Sequence, residues 1–152
     1  MFNLFKKNPE ILIEDIVFGK LKYINRKHSP LGFFSGVVIF KPLNKNVECL
    51  INAEITGPTN EQREFYKTVE SKYFELIELI KTLVESELRD WNENLKVSDF
   101  NKDFELLAIS IPQMGSNPIM WDMVFRIVHD EGGHDLTITF KDFTPESTLI
   151  DG

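Results

Sequence analysis

Apolar residues between positions 59 and 91 recur with helical spacing, and almost everywhere else they alternate as strands do. At about 100° per residue, Phe65, Tyr66, Val69, Tyr73, Leu76, Ile77, Ile80, Leu83, Val84, Leu88 and Trp91 fall within an arc of ~140°, the stripe of a helix that faces a core. No Gly or Pro interrupts the run. Pro58 precedes it, and Thr59 with Gln62 has the spacing of a capping box. Asn92 or Asn94 can take the left-handed conformation that ends a helix. A helix of ~32 residues is ~48 Å long, whereas a strand of eight residues spans only ~26 Å. The helix is therefore expected to overhang its sheet, bend, or cover a second surface. Phe74 and Leu79 fall outside the apolar arc and Glu87 falls inside it. Glu87 marks either the point where the helix runs past the sheet edge or a buried carboxylate with a raised pKa.

The remaining pattern predicts six strands, at 16–25, 33–41, 47–56, 104–112, 120–130 and 134–141. The second and fourth are apolar on both faces, so they are expected to be interior, and the second to be covered on both sides. The third alternates, with Val47, Cys49 and Ile51 on one face and Glu48, Asn52 and Glu54 on the other. In the fifth, Trp121, Met123 and Phe125 point inward and Asp122 and Arg126 outward. Cys49 reads as a small buried apolar residue rather than a nucleophile. The expected fold is α+β: an antiparallel sheet of about six strands in the order βββ-α-βββ, with one long helix on one face. Residues 1–152 form one domain, with a leader at 1–15 and a tail at 142–152.

Two stretches carry a resemblance. The opening Asp15-Ile-Val-Phe-Gly-x-Leu-x-Tyr23 and the later Gly133-His134-x-Leu-x-Ile138 are similar to a bacterial family known only as domain of unknown function 2262. The resemblance implies the same kind of fold and brings no activity with it.

Charge narrows the function. With 24 acids against 17 bases, the chain has a net charge of −7. That disfavours nucleic acid and anionic membranes as partners, because phosphates need a basic surface. It suits a basic protein partner. A single cysteine excludes an internal disulfide and a cysteine-based zinc cluster. The N-terminal residues lack the apolar core of a signal peptide, and no run approaches ~20 apolar residues, so the cytoplasm is the expected location.

Chemistry is concentrated in one place, His129-Asp-Glu-Gly-Gly-His-Asp135. It reads first as a polar hairpin turn. The alternative is a divalent-metal site in which His129 and His134 face each other across the strand ends with Glu131 beside them, supporting hydrolysis by a metal-bound water. His28 lies in another turn. Glu48, Glu54, Asp122 and Arg126 are candidates for a polar binding patch on an outer sheet face. Phosphate loops, nucleophile elbows and His-Glu-x-x-His are missing from the sequence. The expected function is a small non-enzymatic protein-binding module, of the immunity type that masks a basic toxin, with no resident cofactor. Self-association as a homodimer through Phe74 and Leu79 is a further expectation.

Overall fold

A computed structural model describes residues 9–26, 28, 31–90 and 97–151. Eight strands form one sheet in strictly sequential order: β1 (Leu12–Asp15), β2 (Gly19–Ile24), β3 (Phe33–Phe40), β4 (Lys45–Ile51), β5 (Phe104–Ile111), β6 (Met120–Ile127), β7 (Asp135–Lys141) and β8 (Thr144–Asp151). Every neighbouring pair is antiparallel except β4 and β5, which are parallel. A parallel pair needs a long return connection, and the long helix α1 (Asn60–Glu87) supplies it. A 3₁₀ turn (Leu88–Asp90) follows α1, and the one-turn helix α2 (Phe100–Asp103) leads into β5.

The α+β class and the single long helix match the sequence reading. The strand count does not. The expected leader contains β1, whose Ile13 pairs with Leu21. The expected tail is β8, paired with β7 along its length. Both were obscured by short or polar sequences: Leu12-Ile-Glu-Asp15 is only four residues long, and Thr144-Pro-Glu-Ser147 lacks apolar alternation. The expected first strand is broken at residues 16–18, where Asp15 Oδ1 accepts the backbone N–H groups of Val17 and Phe18 at 2.8 and 3.0 Å. The helix closes sooner than expected, at Glu87. Trp91, Asn92 and Asn94 lie outside the described residues, as do positions 27, 29 and 30 of the expected turn.

α1 buries the stripe that its spacing predicts: Phe65, Tyr66, Val69, Tyr73, Leu76, Ile77, Ile80 and Val84. The core beneath is largely aromatic. Phe65 meets Trp121 edge-on at 5.3 Å, Trp121 stacks on Phe140 at 4.2 Å, and Tyr73 meets Phe40 at 5.0 Å. At 28 residues α1 is ~42 Å long, beside a sheet whose eight strands span ~34 Å in width. An eight-stranded twisted sheet does not stay flat. Here both of its edges touch the helix. Arg63 pairs with Asp15 of β1 at 2.8 Å, and Glu87 accepts a hydrogen bond from Thr148 of β8. The sheet wraps the helix, and Glu87 sits exposed at its β8 edge. Beyond the end of α1, Val97 donates its N–H to Glu85, and Asn101 accepts the Tyr73 hydroxyl at 2.9 Å.

β5 explains its own two-faced sequence. A bulge between Leu106 and Ala108 shifts the phase, so Phe104 and Leu106 point inward before it and Ile109 and Ile111 after it. β3 corrects an expectation. It is interior, but only Phe34, Val38 and Phe40 are covered. Val37 and Ile39 are 63% and 64% exposed, because α1 takes one face and nothing described covers the other.

Gln62 ties the helix start to the sheet. Its Oε1 accepts the Thr59 N–H and its own N–H reaches Thr59 Oγ1, completing the expected capping box. Its Nε2 then donates to the carbonyls of Asn52 and Pro112 at 2.7 and 2.9 Å, just past the ends of β4 and β5. Gln62→Leu keeps the volume and strands both carbonyls. The expected cost is about 3 kcal/mol, read as a lower urea midpoint with an unchanged m-value.

Burial alone would raise the Asp15 carboxyl. Hydrogen bonds from Arg63 and from the Phe18 and Val17 N–H groups outweigh it and hold the pKa below the 3.8 of an ordinary aspartate. A carboxylate lowered on folding stabilises above its unfolded pKa, and that stability is lost as pH falls through the folded one. Arg63→Ala is expected to cost about 3 kcal/mol at neutral pH. Urea melts should show the gap from wild type shrinking as pH drops below 3.8.

Candidate functional site

The face of the sheet turned away from α1 carries an ordered pattern. Cross-strand neighbours form a continuous row: Val37 beside Glu48, Glu48 beside Ala108, Ala108 beside Val124, Val124 beside Thr137, and Thr137 beside Leu149. Glu48 is the one charge in it. On one side runs a row that is polar but for Leu50: Ser35, Leu50, Ser110, Asp122, Thr139 and Ser147. On the other side, Glu105, Arg126, Asp135 and Asp151 align. Leu149 is 58% exposed, while Val124 and Thr137 are half-buried. An apolar centre between polar margins is the anatomy of a protein-binding face.

Local hydrogen bonds hold the polar groups in place. Ser35 Oγ donates to Glu48 at 2.8 Å. Asp122 accepts the Thr139 hydroxyl at 2.7 Å, and its N–H reaches Ser110 Oγ at 2.8 Å. Arg126 stands 3.5 Å from Asp135. Glu48, Asp122 and Arg126 therefore share one face, as their alternation predicts. Glu54 does not. β4 ends at Ile51, so Glu54 belongs to the loop that enters α1. The signal that sequence reasoning missed is the row itself, because cross-strand neighbours become visible only once the register is known.

The two histidines have separate partners. Ile127 donates its N–H to the His134 carbonyl, so His134 lies across from Ile127 rather than from His129. His134 Nδ1 is hydrogen-bonded to Asp130. His129 is 3.7 Å from Asp103. Glu131 is exposed in the turn between them. The His134 backbone N–H first, and its imidazole second, hold Asp130 below the usual carboxylate range. Among the described residues no group of three or more His, Cys, Asp or Glu side chains comes together around a common point. His28 is exposed in its turn. Burial pushes the Cys49 thiol up to about 12, which leaves it inert as a nucleophile.

A cleft of about 460 Å³ lies where β4 and β5 end and α1 begins, lined by Asn52, Thr56, Asn60 and Gln113 with Glu54 and Glu61. Open sheets often bind ligands at the carboxyl ends of parallel strands. Here the polar groups are largely committed: Gln62 to the two carbonyls, and Asn52 Oδ1 to Arg26 at 3.0 Å. Glu54 and Glu61 oppose the anion that a helix start would otherwise attract. Phe74 and Leu79 are 61% and 45% exposed on the back of α1.

No family model, curated protein or solved structure matches the chain.

The histidine geometry gives an expected outcome. His134→Ala removes the Asp130 contact and should lower stability, whereas His129→Ala, on an exposed side chain, should change it little. Thermal melts of wild type and both variants with and without added zinc check this, and zinc should shift none of the three.

Proposed function

We propose that this chain is a non-enzymatic module that docks a basic protein on the outer face of its sheet and so masks it. The observation that carries the reading is the uncovered row from Val37 to Leu149, with its polar and charged margins. A face ~34 Å wide and ~24 Å along the strands offers about 800 Å², the contribution of one partner to a stable interface. Charge supplies the partner's sign. Glu48, Glu105, Asp122, Asp135 and Asp151 on this face outnumber its bases Lys22, Arg126 and Lys141, on a chain with a net charge of −7. Such a surface attracts a cation at long range and suppresses anionic competitors. Among the described residues no helix is long and apolar enough to cross a membrane, so the exposed aliphatics are not explained by a described membrane-spanning helix.

Affinity capture from the source organism's lysate at low and moderate salt tests the reading, with wild type and Val124→Arg compared. Wild type should retain a basic protein that is released as salt rises, and Val124→Arg should lose it at every salt. A partner held equally by the variant would place the interface elsewhere. No partner at any salt, together with turnover in a hydrolase screen, would overturn the non-enzymatic reading.

A further inference from the structure

At its first described residues the chain runs along the β1 edge of the outer sheet face. Ile11 accepts the Tyr23 N–H at 2.9 Å, which carries the β1–β2 pairing past Leu12. Glu10 then accepts a hydrogen bond from Lys22 Nζ at 2.9 Å. Lys22 stands in register with Leu12 and Ser35, on the outer face. The residues before Pro9 are therefore tethered at the edge of that face.

Those residues, Met1-Phe-Asn-Leu-Phe-Lys-Lys-Asn8, have the chemistry complementary to it. Phe2, Leu4 and Phe5 are apolar, Lys6 and Lys7 are basic, and the first acid of the chain is Glu10. A chain with 24 acids against 17 bases thus places an acid-free, basic and apolar stretch beside its own acidic face. The reach fits. Eight residues at about 3.3 Å each extend ~26 Å, and the strand spacings from β1 to β6 add up to ~24 Å. Within that reach two acids have no base beside them in their rows. Glu48 stands between Val37 and Ala108, and Asp122 between Ser110 and Thr139. The bases nearest the tether are answered, Lys22 by Glu10 and Lys20 by Glu14 opposite it in the hairpin. Apolar area is uncovered within the same reach: Val37 is 63% exposed, and Leu50 and Val124 are half-buried.

We propose that residues 1–8 fold back across the β1–β6 part of this face and occupy the docking site until a partner displaces them. The use of the site rests on the docking reading above; its occupation by the chain itself does not. Lys6 and Lys7, near the tether, come level with β3, and their long side chains reach Glu48 on β4. Phe5, Leu4 and Phe2 then come over Leu50, Ala108 and Val124. A segment on a short tether acts at an effective concentration on the order of millimolar, so weak contacts suffice to hold it. A partner's apparent affinity falls by the fraction of chains whose face is open. Weakly complementary proteins are thereby refused, while a strongly complementary one still binds.

A spin label in the full chain tests the proposal. Asn3→Cys gives the label one site, because Cys49 is fully buried and its thiol is inert. Methyl spectra of the labelled protein should lose the Val37, Leu50 and Val124 signals to paramagnetic broadening, while Leu79 on the back of α1 stays sharp. Lys6→Glu combined with Lys7→Glu should restore the lost signals. Absent broadening, or broadening that reaches Leu79 equally, overturns the proposal. Broadening that survives the double charge reversal also overturns it, since the acids of the face would then not hold the segment. Isotope-labelled wild type mixed with unlabelled, spin-labelled protein should stay sharp. Loss of the same signals in that mixture would show the segment reaching a second copy and would sink docking within one chain. None of these measurements uses a partner, so sharp methyls would leave the captured protein and its Val124→Arg control standing, and a failed capture would leave the broadening standing.

Discussion

The parallel pairing of β4 and β5 is the constraint on which the architecture rests. A chain built otherwise from hairpins can run through its sheet with short turns alone. One parallel pair forbids that and requires the chain to return to the opposite end of the sheet. α1 is that return, and its apolar stripe then dictates which sheet face becomes the core. Gln62 shows how closely the constraint is enforced. A single amide caps the helix that begins the return and bonds the carbonyls past both strands that the return joins. The sheet edges then close on the helix through Arg63 to Asp15 and Glu87 to Thr148.

How much of this was legible follows from where the information sits. The helix was readable because its signal is local: period, cap and breaker all lie within one stretch. The buried residues of α1 were foreseen almost completely for that reason. The sheet was readable only where a strand is long and alternates cleanly. β1 is too short for a pattern, and β8 opens on Thr144-Pro-Glu-Ser147, a polar run held in place by β7. β5 misled through its bulge, since one inserted residue makes a one-faced strand look two-faced. β3 misled because Val37 and Ile39 are apolar and yet uncovered. That last discrepancy is informative, since an apolar residue left in solvent by a well-packed fold needs a reason outside the core.

The candidate surface was half legible. Alternation placed Glu48, Asp122 and Arg126 outward correctly, because outwardness is a local property. It could not say that Glu48 adjoins Ala108, since that contact joins strands separated by the whole helix. Glu54 failed where the strand ended early. The histidine turn failed similarly, because the loop spans residues 128–134 and sets His134 opposite Ile127. Spacing in the sequence fixes a distance only when the intervening backbone is regular.

The distribution of charge joins the fold to its use. The buried ionisable groups that shift do so toward neutrality: Cys49, Tyr66 and Tyr73 are all pushed up by burial and carry no charge at neutral pH. The exception is Asp15, whose charge is matched by Arg63. The excess of acid over base is therefore displayed at the surface, where it acts at long range. Binding draws on surface charge beside apolar area that the core does not need. Both lie on the outer sheet face. The face offers area and charge to a macromolecule.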